Sequence, residues 1–215
     1  MRSGQAQRLL SQALKHVPNY GWSTKALALA AQDMGLSPIA AGVASNGPVD
    51  LVYYFMESAN KETIGSITEN TDPEKFNRTE LVRLALRNRL ERTVPYLDRW
   101  PQAMALGALP QNCLQTGRIL HSFIDDVAHV ANDQTVGMDW YISRTALASV
   151  YVSTELFLLT DRSKRQTGTW QFLDDRLGDM SGMTLLPNQM WRYAQSATSL
   201  LLNSAGRVGS AFVAK

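Results

Sequence analysis

Cysteine is almost absent from this chain. Cys113 stands alone among 215 residues, which rules out a disulfide framework and fits a reducing compartment. An excess of charge of one sign is also lacking. The formal net charge is +2, which provides no general attraction for nucleic acid. No apolar run approaches the ~20 residues that a membrane-spanning helix needs. Histidine occurs only as His16, His121 and His129. The last two share a helix face with Asp125, yet eight residues span ~12 Å along a helix axis, too far for both rings to reach one ion. No nucleophile–base motif and no glycine-rich phosphate loop is present. Asp125 and Asp126 are adjacent, so on a helix they diverge by about 100° and make a poor acid–base pair. These absences point to a protein that presents a surface and does no chemistry itself, with neither metal nor cofactor. Met1-Arg2-Ser3-Gly4-Gln5 reads as neither a signal nor a transit peptide, so an imported protein is expected here in mature or truncated form.

What is present is helix. Leu9, Leu10, Ala13, Leu14 and Val17 recur at helical spacing, and Pro18-Asn19-Tyr20-Gly21 is expected to end that segment. Ser23 caps a second helix, and Gly35-Leu36-Ser37 turns into a short third one from Pro38 to Ala44. Helix, glycine turn, short helix is a helix-turn-helix pattern. Its third helix, however, lacks the Arg, Lys, Asn or Gln that reads base edges, so DNA binding is not expected.

Pro48 opens a fourth helix, expected to fade into a polar linker from Ser66 to Pro73. The next helix restarts at Thr79-Glu80, and its exposed face is expected to bear Arg83, Arg87, Arg89 and Arg92. That row is either a solvated face or a contact for an acidic partner or anionic lipid. Trp100, Met104 and Leu109 follow at helical spacing in an apolar stretch. A helix from about Cys113 to Ala131 leads through a loop to Asp139, the expected cap of a long apolar helix. From Trp140 to Leu159 the only charged residues are Arg144 and Glu155, so this helix is either buried all round or covered by a partner. Trp140 and Tyr141 beside Arg144 have the composition of a binding hot spot.

The last segment differs from the rest. From Pro187, the residues Trp191, Ala194, Thr198, Leu201, Leu202, Ala205, Val208 and Phe212 form one stripe at helical spacing. No acidic residue follows Asp179, whereas Arg192, Arg207 and Lys215 are basic. With Trp191 and Tyr193 at one end, this pattern fits a helix lying in a membrane surface, contacting it through Trp191, Tyr193, Leu201, Leu202 and Phe212. The bland alternative is a helix docked on the protein's own core or in a dimer.

Several stretches together carry a resemblance: His16-Val17-Pro18-Asn19-Tyr20-Gly21-Trp22, Val94-Pro95-Tyr96 with Trp100-Pro101, Asp125-Asp126, Asn132-Asp133-Gln134, Trp140-Tyr141 with Arg144, Thr154-Glu155-Leu156, and Trp170 with Phe172-Leu173. Over nearly its whole length the chain resembles the mitochondrial coenzyme Q (ubiquinone) biosynthesis accessory proteins, lipid-binding relatives of the TetR regulators. The resemblance implies an all-α, TetR-like bundle of about ten helices, usually a homodimer. It divides into a helix-turn-helix-like region (1–66), a lipid-binding helical domain (67–182) and a C-terminal amphipathic membrane-binding helix (183–215). It implies binding of ubiquinone intermediates and other isoprenoid lipids in an apolar cavity. Trp100, Met104, Leu109, Phe123, Ile124, Val127, Leu147, Tyr151 and Leu158 are the candidate lining residues. It further implies delivery of that substrate to the di-iron demethoxyubiquinone hydroxylase, bound through the positions of Asp125, Asp126, Trp140, Tyr141 and Arg144, at the matrix side of the inner membrane where the host is a eukaryote. The rival expectations are a scaffold of the quinone-synthesis complex without lipid transfer, and a TetR-type transcriptional regulator.

Overall fold

The computed structural model describes residues 2–70 and 76–182, and among these the protein is all-α. In chain order the helices are α1 (Arg2–Leu14), α2 (Val17–Tyr20), α3 (Thr24–Asp33), α4 (Pro48–Asn70), α5 (Arg78–Glu91), α6 (Trp100–Gly107), α7 (Cys113–Val130), α8 (Met138–Thr160) and α9 (Thr167–Gly182). Short 3-10 segments lie at Pro38–Val43, Val94–Arg99 and Lys164–Gln166. None of these helices is long and apolar enough to cross a membrane. The expected C-terminal helix, with Trp191, Tyr193, Leu201, Leu202 and Phe212, lies outside the described residues.

The chain forms two compact units that interleave in sequence. One comprises Met1–Lys61 with Arg92–Ile119, the other Glu62–Glu91 with the described part of Leu120–Lys215. The chain therefore changes unit within α4, again just after α5, and a third time within α7.

In the first unit, α1 and α3 pack through small residues. Ala13, Ala26, Ala30 and Ala31 are all fully buried, so the two backbones can approach closely. Gln12 Nε2 donates to Asp33 Oδ2 (2.8 Å), and His16 Nε2 meets the same oxygen at 2.7 Å. Pro18 does not stop the chain's helical path. It sits in the first turn of α2, where a missing N–H costs nothing. Ser23 caps α3 as expected, its hydroxyl accepting from Ala26 N–H. The third helix is a 3-10 segment capped by Ser37, and it buries none of its residues. The core here is aromatic: Trp22, Phe55, Tyr96 and Trp100 stand edge-on or tilted, with centroids 5.0–5.8 Å apart. Gln102 clasps the Trp22 backbone, accepting from its N–H (3.0 Å) and donating to its carbonyl (3.2 Å).

Two expectations need correcting. Helix α4 continues through Ser66 to Asn70 instead of fading there, because Ile67 is 1% exposed and keeps the apolar stripe going. Arg89 does not belong to an exposed row. It is 1% exposed, since it stands seven residues from Val82 and three from Leu86, on the buried stripe of α5. That helix starts with a capping box: Glu80 N–H donates to Asn77 Oδ1, and Asn77 N–H donates to Glu80 Oε2.

Helix α8 is not buried all round. Arg144, Leu147, Val150, Tyr151, Thr154, Glu155 and Leu158 form a single buried stripe, so both charged side chains of the run face inward. The cap of this helix is Gly137 (φ +63°) and not Asp139, which sits in the first turn and complements the helix dipole. Tyr151 donates to Glu155 Oε1 at 3.1 Å. Burial pushes the Tyr151 phenol far up, with the Arg89 charge pulling the other way.

Candidate functional site

Helix α7 ends because Asn132 adopts φ +53°, a conformation that Asn tolerates better than most side chains. Asp133 N–H then donates back to Ala128 O at 2.9 Å, as in a Schellman stop. The reversal carries the Asp133 carboxylate into the protein, where its side chain is fully buried. Thr135 N–H donates to its Oδ1 (3.0 Å). Its Oδ2 accepts from Ser143 Oγ (2.9 Å) and from Arg144 Nη1, and lies 2.8 Å from Arg78 Nη2. Burial alone would raise this carboxyl. The bonds from Thr135 and Ser143 and the Arg78 charge outweigh burial and hold its pKa below the usual carboxylate range. One buried carboxylate thus ties α5, the α7–α8 loop and α8 together.

Arg144 extends this network. Its Nε donates to Asp125 Oδ1 (3.2 Å) and its Nη1 to Thr135 Oγ1 (3.1 Å), and its guanidinium carbon lies 4.9 Å from the Trp140 ring centre. Trp140 also meets His121 (6.0 Å between centroids) and stands edge-on to Tyr141 (4.8 Å). Of the five residues assigned to partner binding, Asp125, Arg144, Trp140 and Tyr141 are therefore in a continuous chain of contacts. Asp126 stands outside that network among the described residues. Its carboxyl is pushed up, first by burial and then by the neighbouring Asp125 charge, with His129 opposing. Arg144 is only 7% exposed, so it holds Trp140 and Asp125 in place and presents no charge of its own.

Beside the half-exposed Asp125 and Arg78, this frame presents apolar side chains to solvent. Tyr141 is 64% exposed, and beside it in sequence Val136 is 79% and Met138 72% exposed. Met138 and Tyr141 are three residues apart at the start of α8 and so share its face. Val136 and Met138 were not singled out from the sequence. Two apolar residues flanking a loop glycine were the available signal.

The lining residues assigned to a lipid divide between the units. Trp100 belongs to the aromatic core of the first unit, where Met104 is half-buried and Leu109 is exposed. Phe123, Ile124, Val127, Leu147, Tyr151 and Leu158 are all buried in the second unit, with Phe123 edge-on to Tyr151 at 5.5 Å.

The family model described as COQ9 matches residues 114–184, and the one described as the N-terminal domain of ubiquinone biosynthesis protein COQ9 matches residues 6–32. The chain is 33% identical over 215 residues to the mitochondrial ubiquinone biosynthesis protein COQ9-B of Xenopus laevis, covering 97% of this chain and 71% of that protein. It is 33% identical over 205 residues to the mitochondrial COQ9 of Xenopus tropicalis, covering 93% of this chain and 65% of that one. The corresponding values for the Homo sapiens protein are 31% over 204 residues, 92% and 64%. The chain thus spans just under two thirds of the length of the last two relatives.

Proposed function

The chain belongs to the COQ9 family, and on that footing we propose that it is a non-catalytic, lipid-binding accessory protein of ubiquinone biosynthesis. It binds polyprenyl quinone intermediates at the membrane surface and presents them to the di-iron demethoxyubiquinone hydroxylase. In a eukaryotic host it works at the matrix side of the mitochondrial inner membrane, as a homodimer. The observation that carries this proposal is the frame at the α7–α8 connection, where a buried Arg144–Asp133 pair braces Trp140 and leaves Tyr141, Val136 and Met138 uncovered. Exposed aromatic and sulfur-containing side chains on a rigid support are what a protein–protein hot spot requires.

The physical need for a carrier follows from the substrate. Each buried CH₂ of an isoprenoid tail is worth ~0.8 kcal/mol, so such a lipid does not partition into water on its own. An apolar protein interior offers it an alternative to the bilayer. The buried residues Phe123, Ile124, Val127, Leu147 and Leu158 supply apolar surface of that kind.

Capture of the hydroxylase by the full chain tests this. Tyr141→Ala and Trp140→Lys should abolish capture while the helical circular dichroism signal stays. Undiminished capture by both folded variants would remove the patch from the account. Organic extraction of the purified protein should release isoprenoid quinones, and release of phospholipid alone would count against the carrier role.

A further inference from the structure

Of the row of cations expected along α5, Arg83, Arg87 and Arg89 are engaged or buried within the second unit. Arg83 Nε lies 2.6 Å from Asp174 Oδ1, and Arg87 Nε lies 2.8 Å from Glu91 Oε1. The Arg87 guanidinium also covers the Trp170 ring at 4.9 Å, and Arg89 is buried. Uncommitted positive charge lies elsewhere, in the turn between α8 and α9. There Arg162, Ser163, Lys164 and Arg165 are all exposed. No ion pair among the described residues involves Arg162, Lys164 or Arg165.

The one acid of that turn, Asp161, is occupied. Its Oδ1 accepts from Ser163 N–H (2.8 Å), and its Oδ2 accepts from Thr169 N–H (2.8 Å) and the Thr169 hydroxyl (2.6 Å). Ser163 Oγ accepts from Gly168 N–H at 2.9 Å, and Trp170 Nε1 donates to Arg165 O at 3.0 Å. The turn's backbone is therefore fixed at both ends while its three cationic side chains remain in solvent. The acids of the following helix are partly engaged as well, Asp174 with Arg83 and Asp179 with Arg176.

We propose that this turn is an electrostatic contact for anionic phospholipid head groups at a bilayer surface. A phosphodiester needs clustered cations in excess of nearby carboxylates, and Arg162, Lys164 and Arg165 supply three against the one carboxylate of Asp161, whose oxygens are already bonded within the turn. Trp170, whose Nε1 donates to the turn's Arg165 carbonyl, is the residue type enriched at head-group depth. Residues 183–215 contain no acidic side chain. The contact rests on the peripheral-membrane part of the function proposed above, and it differs from the expected C-terminal helix in mechanism. That helix binds through apolar area together with Arg192, Arg207 and Lys215. The turn adds a purely electrostatic increment, read as the part of the anionic-lipid preference that depends on Arg162, Lys164 and Arg165 and disappears with salt.

The test is vesicle co-sedimentation of the full chain at low ionic strength. It uses phosphatidylcholine vesicles and a roughly four-to-one mixture of phosphatidylcholine with phosphatidylglycerol. Wild type should bind the mixed vesicles more tightly, by about fivefold per cation and so on the order of a hundredfold in all. Replacing Arg162, Lys164 and Arg165 together by Gln should remove that increment and leave binding to phosphatidylcholine unchanged. Arg162→Lys with Arg165→Lys should retain it, which separates charge from fold. Equal binding of the Gln variant and wild type to the mixed vesicles would overturn the assignment, as would a wild type with no preference for phosphatidylglycerol. Capture of RNA with the same dependence on these residues, without any vesicle preference, would overturn the lipid in favour of a nucleic acid. Binding of wild type to neither kind of vesicle would instead count against the membrane-surface role as a whole.

Discussion

Asp133 and Arg144, eleven residues apart in the chain, meet as a buried ion pair across the turn from α7 to α8. Neither partner is easily replaced, because removing one leaves the other charge buried and uncompensated. Asp133→Ala should therefore destabilise the fold by about 3–5 kcal/mol, read as a shift of the urea midpoint. Arg87→Ala removes an exposed i,i+4 pair with Glu91 and a contact with the Trp170 ring, and should cost under ~2 kcal/mol in the same assay. Similar midpoints for the two variants would mean that Asp133 does not brace the loop.

Asp161 predicts an acid-side dependence. Hydrogen bonding, first from the Thr169 hydroxyl, lowers its pKa to about 2 against burial. A carboxylate whose folded pKa is depressed contributes stability that is fully present above its unfolded pKa and is lost as pH falls through the folded value. Stability from this group should thus decline between about pH 4 and pH 2. Thr169→Val keeps the buried shape but removes a donor, so the variant should be less stable than wild type near neutrality. The difference should shrink as pH approaches 2. A difference that is constant with pH would assign the Thr169 effect to packing alone.

Much of this architecture was legible in the sequence, and the reasons are local. The Ser23 and Ser37 caps, the helix starts at Pro38 and Pro48, and the stripe of α1 all follow from short-range chemistry. The resemblance stretches around Trp22, Tyr96 and Trp100 converge on one aromatic core, which gives them a physical meaning that their spacing did not. What misled was charge. Arg89, placed by spacing on an exposed face, is buried, because it lies on the apolar stripe of α5. Nothing local in the sequence marks Asp133. Its role depends on Arg78 and Ser143, distant in sequence and brought together by the fold.

Glycine positions provide a sharper contrast. Gly21 has φ +67°, and a Cβ there would press on the Gln102 carboxamide that clasps the Trp22 backbone. Gly21→Ala should cost at least ~1 kcal/mol, through both strain and loss of that clasp. Gly117 lies within α7, and a Cβ added to it meets nothing within 4 Å. Gly117→Ala should raise stability by roughly 0.5–1 kcal/mol. Thermal unfolding of both variants measures this directly, and a stabilised Gly21→Ala would contradict the clasp.

The exposed rim beside Trp140 yields the last prediction. Val136 and Met138 are mostly solvent-exposed, so replacing both with Ser removes apolar surface without opening a cavity. Stability should stay within about 0.5 kcal/mol of wild type. Partner capture should weaken by roughly tenfold, because truncating a hot-spot side chain costs more than ~1 kcal/mol of binding. Phe123→Ala should behave in the opposite way. Phe123 is 1% exposed and packed on Tyr151, so its loss should cost about 3–5 kcal/mol of folding energy. It makes no part of the exposed rim, so any folded fraction should still capture the partner. If the Val136/Met138 variant captured the partner as wild type does, the apolar rim would be incidental, and Trp140 with Tyr141 would have to account for docking alone.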